Sequence, residues 1–86
     1  MVNSFQFLQA ANTVKQLQYK PSNETLGQLY GLYKQATVGD NMTAKPSMLD
    51  FKGTAKWNSW NTYRGLSTYK AEVQYIMLVN HLLSGE

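Results

Sequence analysis

The chain has 86 residues, of which 43% are hydrophobic, and it contains two tryptophans, six tyrosines and three phenylalanines. This length and composition predict one small domain, residues 1–86, with a compact core, and they argue against a disordered chain. A formal net charge of +3 favours an anionic partner only weakly, and the absence of cysteine excludes disulfides and thiolate metal ligands.

The N-terminal stretch MVNSFQFLQAANTVK lacks the basic region, continuous apolar core and cleavage site of a secretory signal, so we expect it to belong to the fold. The longest unbroken apolar run, Tyr75–Val79, is far shorter than the ~20 residues that a membrane-spanning helix needs. The sequence therefore predicts a soluble protein. The lack of cysteine fits a reducing compartment without requiring one.

Helical periodicity begins near the N-terminus. A helix from about Ser4 to Leu17 is predicted, because its apolar residues recur with the spacing of a buried stripe. These residues are Phe7, Ala10, Ala11, Val14 and Leu17. Pro21 ends this helix, and Ser22 or Asn23 is predicted to cap a second helix that runs to about Thr37.

The second helix carries an aromatic and cationic face. Tyr30, Tyr33 and Lys34 are spaced at i, i+3 and i+4, so they project from neighbouring positions on one side. Leu26, Leu29 and Ala36 are expected to share one broad face of the helix with the tyrosines. Gly27 and Gly31 each weaken the helix by ~1 kcal/mol relative to alanine, which is tolerable where another element packs close to the backbone.

The segment from Val38 to Leu49 is rich in small and polar residues and is predicted to be a long ordered loop, which in compact domains is commonly functional. A third helix is predicted from roughly Phe51 to Tyr63. It is expected to have a buried aromatic side and a basic side, formed by Trp57 with Trp60 and by Lys52 with Lys56.

A fourth helix is predicted from the Ser67 cap to about Leu83. Its core face is expected to contain Ala71, Tyr75, Leu78, Val79 and Leu82. Four helices with one long middle connection predict an all-α fold, a small four-helix bundle, and no strand-type alternation persists anywhere.

Catalysis is not predicted. His81, the only histidine, has no acid within a helical turn and is expected to be a structural or surface residue. Asp40 and Asp50 are explained by turn formation or helix capping. Because no carboxylate pair, metal cluster or glycine-rich phosphate loop is present, the sequence predicts a binding protein with no catalytic residue, no metal and no cofactor.

A set of ammonium groups and phenols remains as a candidate binding site, consisting of Tyr30, Tyr33, Lys34, Lys52, Lys56 and Tyr75. Lysine supplies a compact charge for phosphate, and tyrosine supplies a stacking face and a hydroxyl, so a nucleotide is a natural ligand. The same pattern also arises when the tyrosines are core and the lysines form a solvated face. A small basic nucleic-acid-binding domain is a third interpretation, although no nucleic-acid motif or arginine stripe is present.

The order of these motifs resembles the acyl-CoA-binding protein family over nearly the whole chain. The resemblance rests on YGLYKQATVGD at 30–40, MLDFKG at 48–53 after Pro46, AKW at 55–57 with Trp60, GLS at 65–67 and YI at 75–76. It is specific, because the tyrosine–lysine run and the lysine–tryptophan run occur together.

The resemblance implies an up-down-down-up bundle that binds medium- to long-chain acyl-CoA esters without reacting with them. It implies a cytoplasmic, monomeric carrier that forms an intracellular acyl-CoA pool and contacts membranes only transiently, with no integral membrane segment and no nucleic-acid partner. A protein-interaction or signalling domain of the same fold is the alternative.

The resemblance also implies roles for individual residues. The adenine and the ribose 3′-phosphate are expected at Tyr30, Tyr33, Lys34 and Lys56, with Tyr75 closing over the adenine. Lys15 and Lys52 are expected along the same ligand, and the acyl chain near Ala11, Leu26 and Gly27.

The chain departs from the family pattern at several positions. Members usually have a bulky apolar residue where Gly27 stands, alanine where Ser59 stands and a basic residue where Thr54 stands. The last helix is usually rich in charges, whereas here it contains Val73 and Met77. The change at Gly27 leaves the chain-length preference open.

Overall fold

The structure is a computed structural model that describes residues 3–85. It contains four α-helices, namely α1 (Phe5–Thr13), α2 (Asn23–Thr37), α3 (Phe51–Asn61) and α4 (Thr68–Leu83), with a 3-10 turn at Val14–Gln16 after α1. Residues 3–85 contain no strand, and the predicted all-α fold is confirmed. In the same range no helix is both long enough and apolar enough to cross a bilayer.

Each helix begins with a side-chain cap. Ser4, Ser22, Asp50 and Ser67 each accept a hydrogen bond from the backbone N–H three residues further along the chain. Such a bond satisfies one of the N–H groups that the first helical turn leaves without a partner. The predicted Ser67 cap is confirmed, and Ser22 rather than Asn23 caps α2.

Two predicted helix ends are wrong. α1 stops at Thr13 instead of Leu17, and the chain continues as a tighter 3-10 turn closed by the bond from Leu17 N–H to the Val14 carbonyl. α3 stops at Asn61 instead of Tyr63. The chain after α3 is held as turns, because Gly65 at φ +91° donates its N–H to the Asp40 carboxylate at 2.7 Å.

Contacts between helix ends define the topology. Asn3 donates to the Ala36 carbonyl at 2.9 Å and also to Glu72, so the end of α2 lies beside the starts of α1 and α4. Tyr19 donates to the Leu82 carbonyl at the other end of α4, so α1 and α4 run in the same direction. Trp60 of α3 donates to the Gly39 carbonyl just after α2, and the two helices run the same way. The order is up-down-down-up.

The core lies mainly between α1, α2 and α4. Its buried members are Phe7, Ala10, Leu29, Leu32, Ala36, Ala71, Tyr75, Val79 and Leu82. Most were predicted, but the burial of Leu32 was not. The reason is that α2 packs against α4 on one side and α3 on another, so its buried surface is wider than one stripe.

α3 approaches α2 closely at two glycines. A Cβ added to Gly31 would lie 2.3 Å from the backbone oxygen of Ser59 and 2.7 Å from the Tyr63 ring, and one added to Gly27 would lie 2.9 Å from the Ser59 hydroxyl. The expectation that these glycines permit close packing is confirmed. The contact between the two helices offsets the lower helix propensity of these glycines.

The loop between α2 and α3 is ordered by hydrogen bonds to α3 and to the turn after it. Arg64 donates to the Asn41 carbonyl at 2.8 Å, and Trp57 donates its indole N–H to the Thr43 carbonyl at 3.0 Å. Asn41 is buried and donates to the Trp57 carbonyl. The predicted long ordered loop is therefore confirmed.

A candidate ligand-binding site of two joined cavities

The first cavity, here called the tyrosine cavity, has a volume of about 400 Å³ and lies between α1, α2 and α4. Its lining consists of Leu8, Ala11, Asn12, Val14, Lys15, Leu29, Tyr30, Tyr33 and Tyr75. Five of the residues predicted to touch the ligand are in this set: Ala11, Lys15, Tyr30, Tyr33 and Tyr75.

Three aromatic rings pack together at this cavity, two of them in its lining. Phe7 lies 5.0 Å from Tyr75 and 5.7 Å from Tyr33 between ring centroids, and the two tyrosines are 6.0 Å apart. Phe7 and Tyr75 belong to the buried core, whereas Tyr33 is partly open to solvent. The cavity therefore presents flat aromatic surface on a support that the core holds in place, which suits stacking of a planar ring.

Burial raises the pKa of the Tyr75 phenol above its ordinary value, and the nearby Tyr33 phenol raises it further. The hydroxyl therefore stays protonated at neutral pH and is available as a hydrogen-bond donor. Lys15, exposed on the 3-10 turn after α1, adds a positive charge to the lining. An anionic ligand with an aromatic part matches this combination.

The second cavity, here called the α2–α3 groove, has a volume of about 530 Å³. Its lining consists of Asn23, Leu26, Gly27, Tyr30, Phe51, Lys52, Ala55, Lys56 and Ser59. Four predicted ligand contacts besides Tyr30 are here: Leu26, Gly27, Lys52 and Lys56. A mainly apolar lining beside two exposed ammonium groups is suited to a ligand with a hydrocarbon chain and an anionic head.

Tyr30 lines both cavities, which therefore lie next to each other. The Lys56 ammonium lies 5.7 Å from the centroid of the Tyr30 ring, within the range of a cation–π contact. A positive charge therefore stands where a ligand that occupied both cavities would pass from one to the other.

Lys34 follows Tyr30 by one turn of α2 but lines neither cavity. Its ammonium lies 4.7 Å from the centroid of the Trp60 ring. The structure thus brings together all the predicted contacts except Lys34 in the linings of the two cavities. The Lys34 ammonium lies at the Trp60 ring instead.

A smaller cavity of about 360 Å³ adjoins the groove. It shares Asn23, Gly27 and Ser59 with the groove and is otherwise lined by Glu24, Gln28, Thr62 and Tyr63. Because Gly27 has no side chain, no bulky group at this position separates the two spaces.

Several lining residues were missed by sequence reasoning. On α3 they are Phe51, Ala55 and Ser59, which form an i, i+4, i+8 row along the groove. That i, i+4, i+8 spacing on one face of α3 is the sequence signal that could have predicted them. Asn23, considered only as a helix cap, also lines the groove.

Metal binding was not predicted, and no group of three or more histidine, cysteine, aspartate or glutamate side chains within residues 3–85 is arranged to hold a metal ion.

Comparison with known proteins adds a family match. Residues 4–79 match the sequence model of a family described as "Acyl CoA binding protein". The chain is 51% identical over 81 residues to the acyl-CoA-binding protein homolog of Drosophila melanogaster, with 94% of each chain covered. It is 50% identical over 78 residues to the acyl-CoA-binding protein homolog 1 of Caenorhabditis elegans, with 91% of each covered.

Solved structures agree with the sequence match. The crystal structure of Oryza sativa acyl-CoA-binding protein 2 superimposes with a TM-score of 0.89 at 40% identity, covering 92% of this chain and 88% of the rice chain. The solution structure of the yeast acyl coenzyme A binding protein gives a TM-score of 0.74 at 44% identity, with 94% of each chain covered.

Proposed function

The chain belongs to the acyl-CoA-binding protein family, and from this premise we propose that it binds medium- to long-chain acyl-CoA esters without catalysis, as a carrier that maintains an intracellular acyl-CoA pool. The observation that carries this proposal is that Tyr30 lines both a cavity of phenols and an apolar groove beside the Lys56 ammonium. An acyl-CoA ester has the same division into an aromatic base, phosphates and a hydrocarbon chain.

The CoA portion is proposed to occupy the tyrosine cavity. Tyr33 and Tyr75 would flank the adenine, and Tyr30 would donate its hydroxyl to the ribose 3′-phosphate. Lys56 and Lys34 would supply positive charge there. Lys15 is proposed to contact the same portion of the ligand, because it lines the same cavity.

The acyl chain is proposed to occupy the α2–α3 groove along Leu26 and Gly27, with Lys52 at the edge. Ala11 lines the tyrosine cavity and not the α2–α3 groove. For the ligand's acyl chain to contact Ala11, part of that acyl chain would have to extend past Tyr30 into the tyrosine cavity. The linings supply phenols, ammonium groups and apolar carbons, which bind a thioester ligand but do not form a nucleophile–base pair.

The two ends of the ligand contribute differently. Burial of a chain of about fourteen methylenes gives on the order of 10 kcal/mol gross at roughly 0.8 kcal/mol each, and part of this is offset by lost ligand freedom. A charge-assisted phosphate contact contributes about 1.5 to 3 kcal/mol. A few such contacts are enough to distinguish acyl-CoA from a free fatty acid.

We propose that the protein acts as a monomer in the cytoplasm and contacts membranes only transiently while it exchanges its ligand. The absence of cysteine fits a reducing compartment. A protein-interaction or signalling role of the same fold is not favoured, because the family match and both cavities point to a small-molecule ligand.

Calorimetry with palmitoyl-CoA, free CoA and palmitate tests the proposal. Palmitoyl-CoA is expected to bind far more tightly than palmitate. The variant Lys56→Ala should lose about 10- to 150-fold in affinity for palmitoyl-CoA, because it removes one charge-assisted contact. The matched control is Lys70→Ala, which removes an exposed α4 lysine that lines neither cavity. Equal affinities for palmitate and palmitoyl-CoA would refute the proposal.

A further inference from the structure

Three apolar side chains at the start of α3 are among the most exposed in the protein. Met48 is 87% exposed, Leu49 85% and Phe51 76%. Single exposed apolar residues are ordinary on a protein surface, but three within four consecutive positions form a patch. We call these three residues, with the flanking Lys45 and Lys52, the 45–52 surface.

The backbone presents this patch outward. The Asp50 N–H donates to the Ser47 carbonyl at 2.9 Å, which closes a turn with Met48 and Leu49 at its two central positions. The Leu49 N–H also donates to the Ser47 hydroxyl at 3.2 Å. Central turn positions usually hold glycine, proline, asparagine, aspartate or serine, so methionine and leucine there are not explained by turn formation.

The charge around the patch is positive. Lys45 and Lys52 are exposed, and Lys56 lies one turn further along α3. The one carboxylate in this stretch, Asp50, accepts the Gly53 N–H in the helix cap at 2.9 Å, so it is occupied at the start of α3. The Lys45 ammonium lies 5.7 Å from the centroid of the Trp57 ring, and Lys45 remains exposed on the same part of the chain. Exposed apolar side chains flanked in sequence by lysines complement a membrane surface that carries anionic headgroups.

The patch also borders the ligand site. Phe51 and Lys52 line the α2–α3 groove, so a flat surface in contact with Met48 and Leu49 would lie beside the opening of that groove. This placement connects the patch with the proposed function, because an acyl-CoA ester is an amphiphile that distributes between water and lipid.

From these observations we propose that the 45–52 surface docks on anionic lipid bilayers and turns the opening of the α2–α3 groove toward the lipid. Docking in this way would let an acyl chain pass between bilayer and groove with little exposure to water. The part of the inference that concerns ligand transfer rests on the proposed acyl-CoA binding, whereas docking itself can be measured without a ligand.

The solvent face of α4 provides a comparison within the same protein. Tyr69, Val73 and Met77 are also exposed there, and Met77 is 64% exposed. These residues line neither the tyrosine cavity nor the α2–α3 groove. Substitution of Met77 therefore tests whether any exposed apolar residue promotes lipid binding, or only those of the 45–52 surface.

Docking is tested by sedimentation with vesicles of phosphatidylcholine alone and of phosphatidylcholine mixed with phosphatidylserine. The unmodified protein should bind the anionic vesicles, bind the neutral ones more weakly, and lose affinity as salt is raised. Met48→Ser combined with Leu49→Ser should lower affinity for anionic vesicles on the order of tenfold, because less apolar surface enters the lipid. Met77→Ser should leave it unchanged.

Lys45→Glu, which lines neither cavity, should also weaken vesicle binding and reduce its salt dependence. Equal binding by the unmodified protein and the Met48→Ser/Leu49→Ser variant would overturn the proposal, as would no binding to any vesicle. The latter result would leave a protein partner as the occupant of the surface. Helical circular dichroism of each variant shows that a loss is not due to unfolding.

The same variants separate docking from ligand binding. Met48 and Leu49 line neither cavity, so the double variant should bind palmitoyl-CoA in vesicle-free solution as the unmodified protein does. If the unmodified protein failed to bind palmitoyl-CoA in solution, the proposed function would fail. If it bound palmitoyl-CoA but not anionic vesicles, only the docking proposal would fail.

Discussion

The tyrosine cavity and the α2–α3 groove share one lining residue but are built in different ways. The cavity lies among three helices, and its lining residue Tyr75 and the adjacent Phe7 are part of the buried core. The groove lies between two helices that touch at glycines, and Phe51 in its lining is exposed. The shape of the cavity is therefore tied to the stability of the fold, whereas the groove can change without unfolding the protein.

This difference indicates how the two halves of a ligand are recognised. A constant group such as a nucleotide benefits from a rigid, preorganised cavity, because little ordering is needed when it binds. A hydrocarbon chain of variable length needs only apolar surface of sufficient extent. The substitutions below are chosen to show whether the two regions really differ in this way.

The largest effect is expected from truncation of an aromatic residue beside the cavity. Phe7→Ala should lower the free energy of unfolding by about 3 to 5 kcal/mol, because it leaves a void beside Tyr33 and Tyr75. Phe51→Ala, in the groove, should change it by about 0.5 kcal/mol or less, because that ring is mostly solvated. Chemical denaturation measures both. Similar losses from the two variants would show that the groove is as much a part of the core as the cavity.

A second contrast lies within the α2–α3 contact. Gly31→Ala should destabilise the protein by about 1 to 3 kcal/mol, because its Cβ would meet the Ser59 backbone oxygen. Gly27→Ala would meet only the Ser59 hydroxyl, which can rotate, and the gain in helix propensity of about 1 kcal/mol should offset the contact. Thermal unfolding of both variants tests this. A larger loss from Gly27→Ala than from Gly31→Ala would contradict the described packing.

Chain-length preference should depend on Gly27. A leucine side chain there would stand between the groove and the smaller cavity that shares Asn23, Gly27 and Ser59 with it. Gly27→Leu should therefore lower affinity for a 20-carbon acyl-CoA by about tenfold more than for a 12-carbon one, since fewer methylenes are buried. Calorimetry with both ligands measures this ratio, and Gly27→Ala is the matched control. Equal losses for the two ligands would show that the chain does not extend past Gly27.

The smallest expected effect is the change in the free energy of unfolding with pH. Burial of Glu72 opposes ionisation, but hydrogen bonds from Asn3 and Ser4 outweigh it and hold its pKa below the ordinary value of 4.5. The Gly65 N–H, with Gln35 and Arg64, holds the pKa of Asp40 below 3.8 despite some desolvation. Because their pKa values are lower in the folded protein, both carboxylates bind protons more tightly in the unfolded chain. Their stabilisation is therefore present above those ordinary values and is lost as pH falls through the lower folded-state pKa values.

Glu72 joins the starts of α1 and α4 through its hydrogen bonds with Asn3 and Ser4, so acid should loosen the contact between these two helices. Glu72→Gln should be less stable at neutral pH and show a flatter loss of stability below about pH 4.5. Denaturation midpoints measured across pH test this expectation. An unchanged slope would mean that Glu72 does not contribute to acid sensitivity.

Much of this architecture could be predicted because its signals are local. Helix caps and apolar spacing depend only on residues close together in sequence, and these two patterns located all four helices. The ends of α1 and α3 could not be predicted as well. The end of α3 is followed by turns that depend on contacts such as that between Gly65 and Asp40, which lie far apart in sequence.

The candidate site was predicted as a set of residues but not as an arrangement. Its division at Tyr30 depends on how α4 and α3 pack against different sides of α2, which no local pattern reveals. The contact of Lys34 with Trp60 is likewise tertiary. The burial of Leu32 was missed because α2 packs on two sides, a property of the bundle rather than of the helix.

The division of the ligand between the two regions is tested most directly by amide NMR shifts during titration with free CoA and then with palmitoyl-CoA. Free CoA should shift the amides of Lys15, Tyr33 and Tyr75 and leave those of Gly27 and Ser59 nearly unchanged. Palmitoyl-CoA should shift both sets. Shifts of the groove set by free CoA alone, or no response of the cavity set to either ligand, would contradict the assignment of the nucleotide to the tyrosine cavity and the acyl chain to the α2–α3 groove.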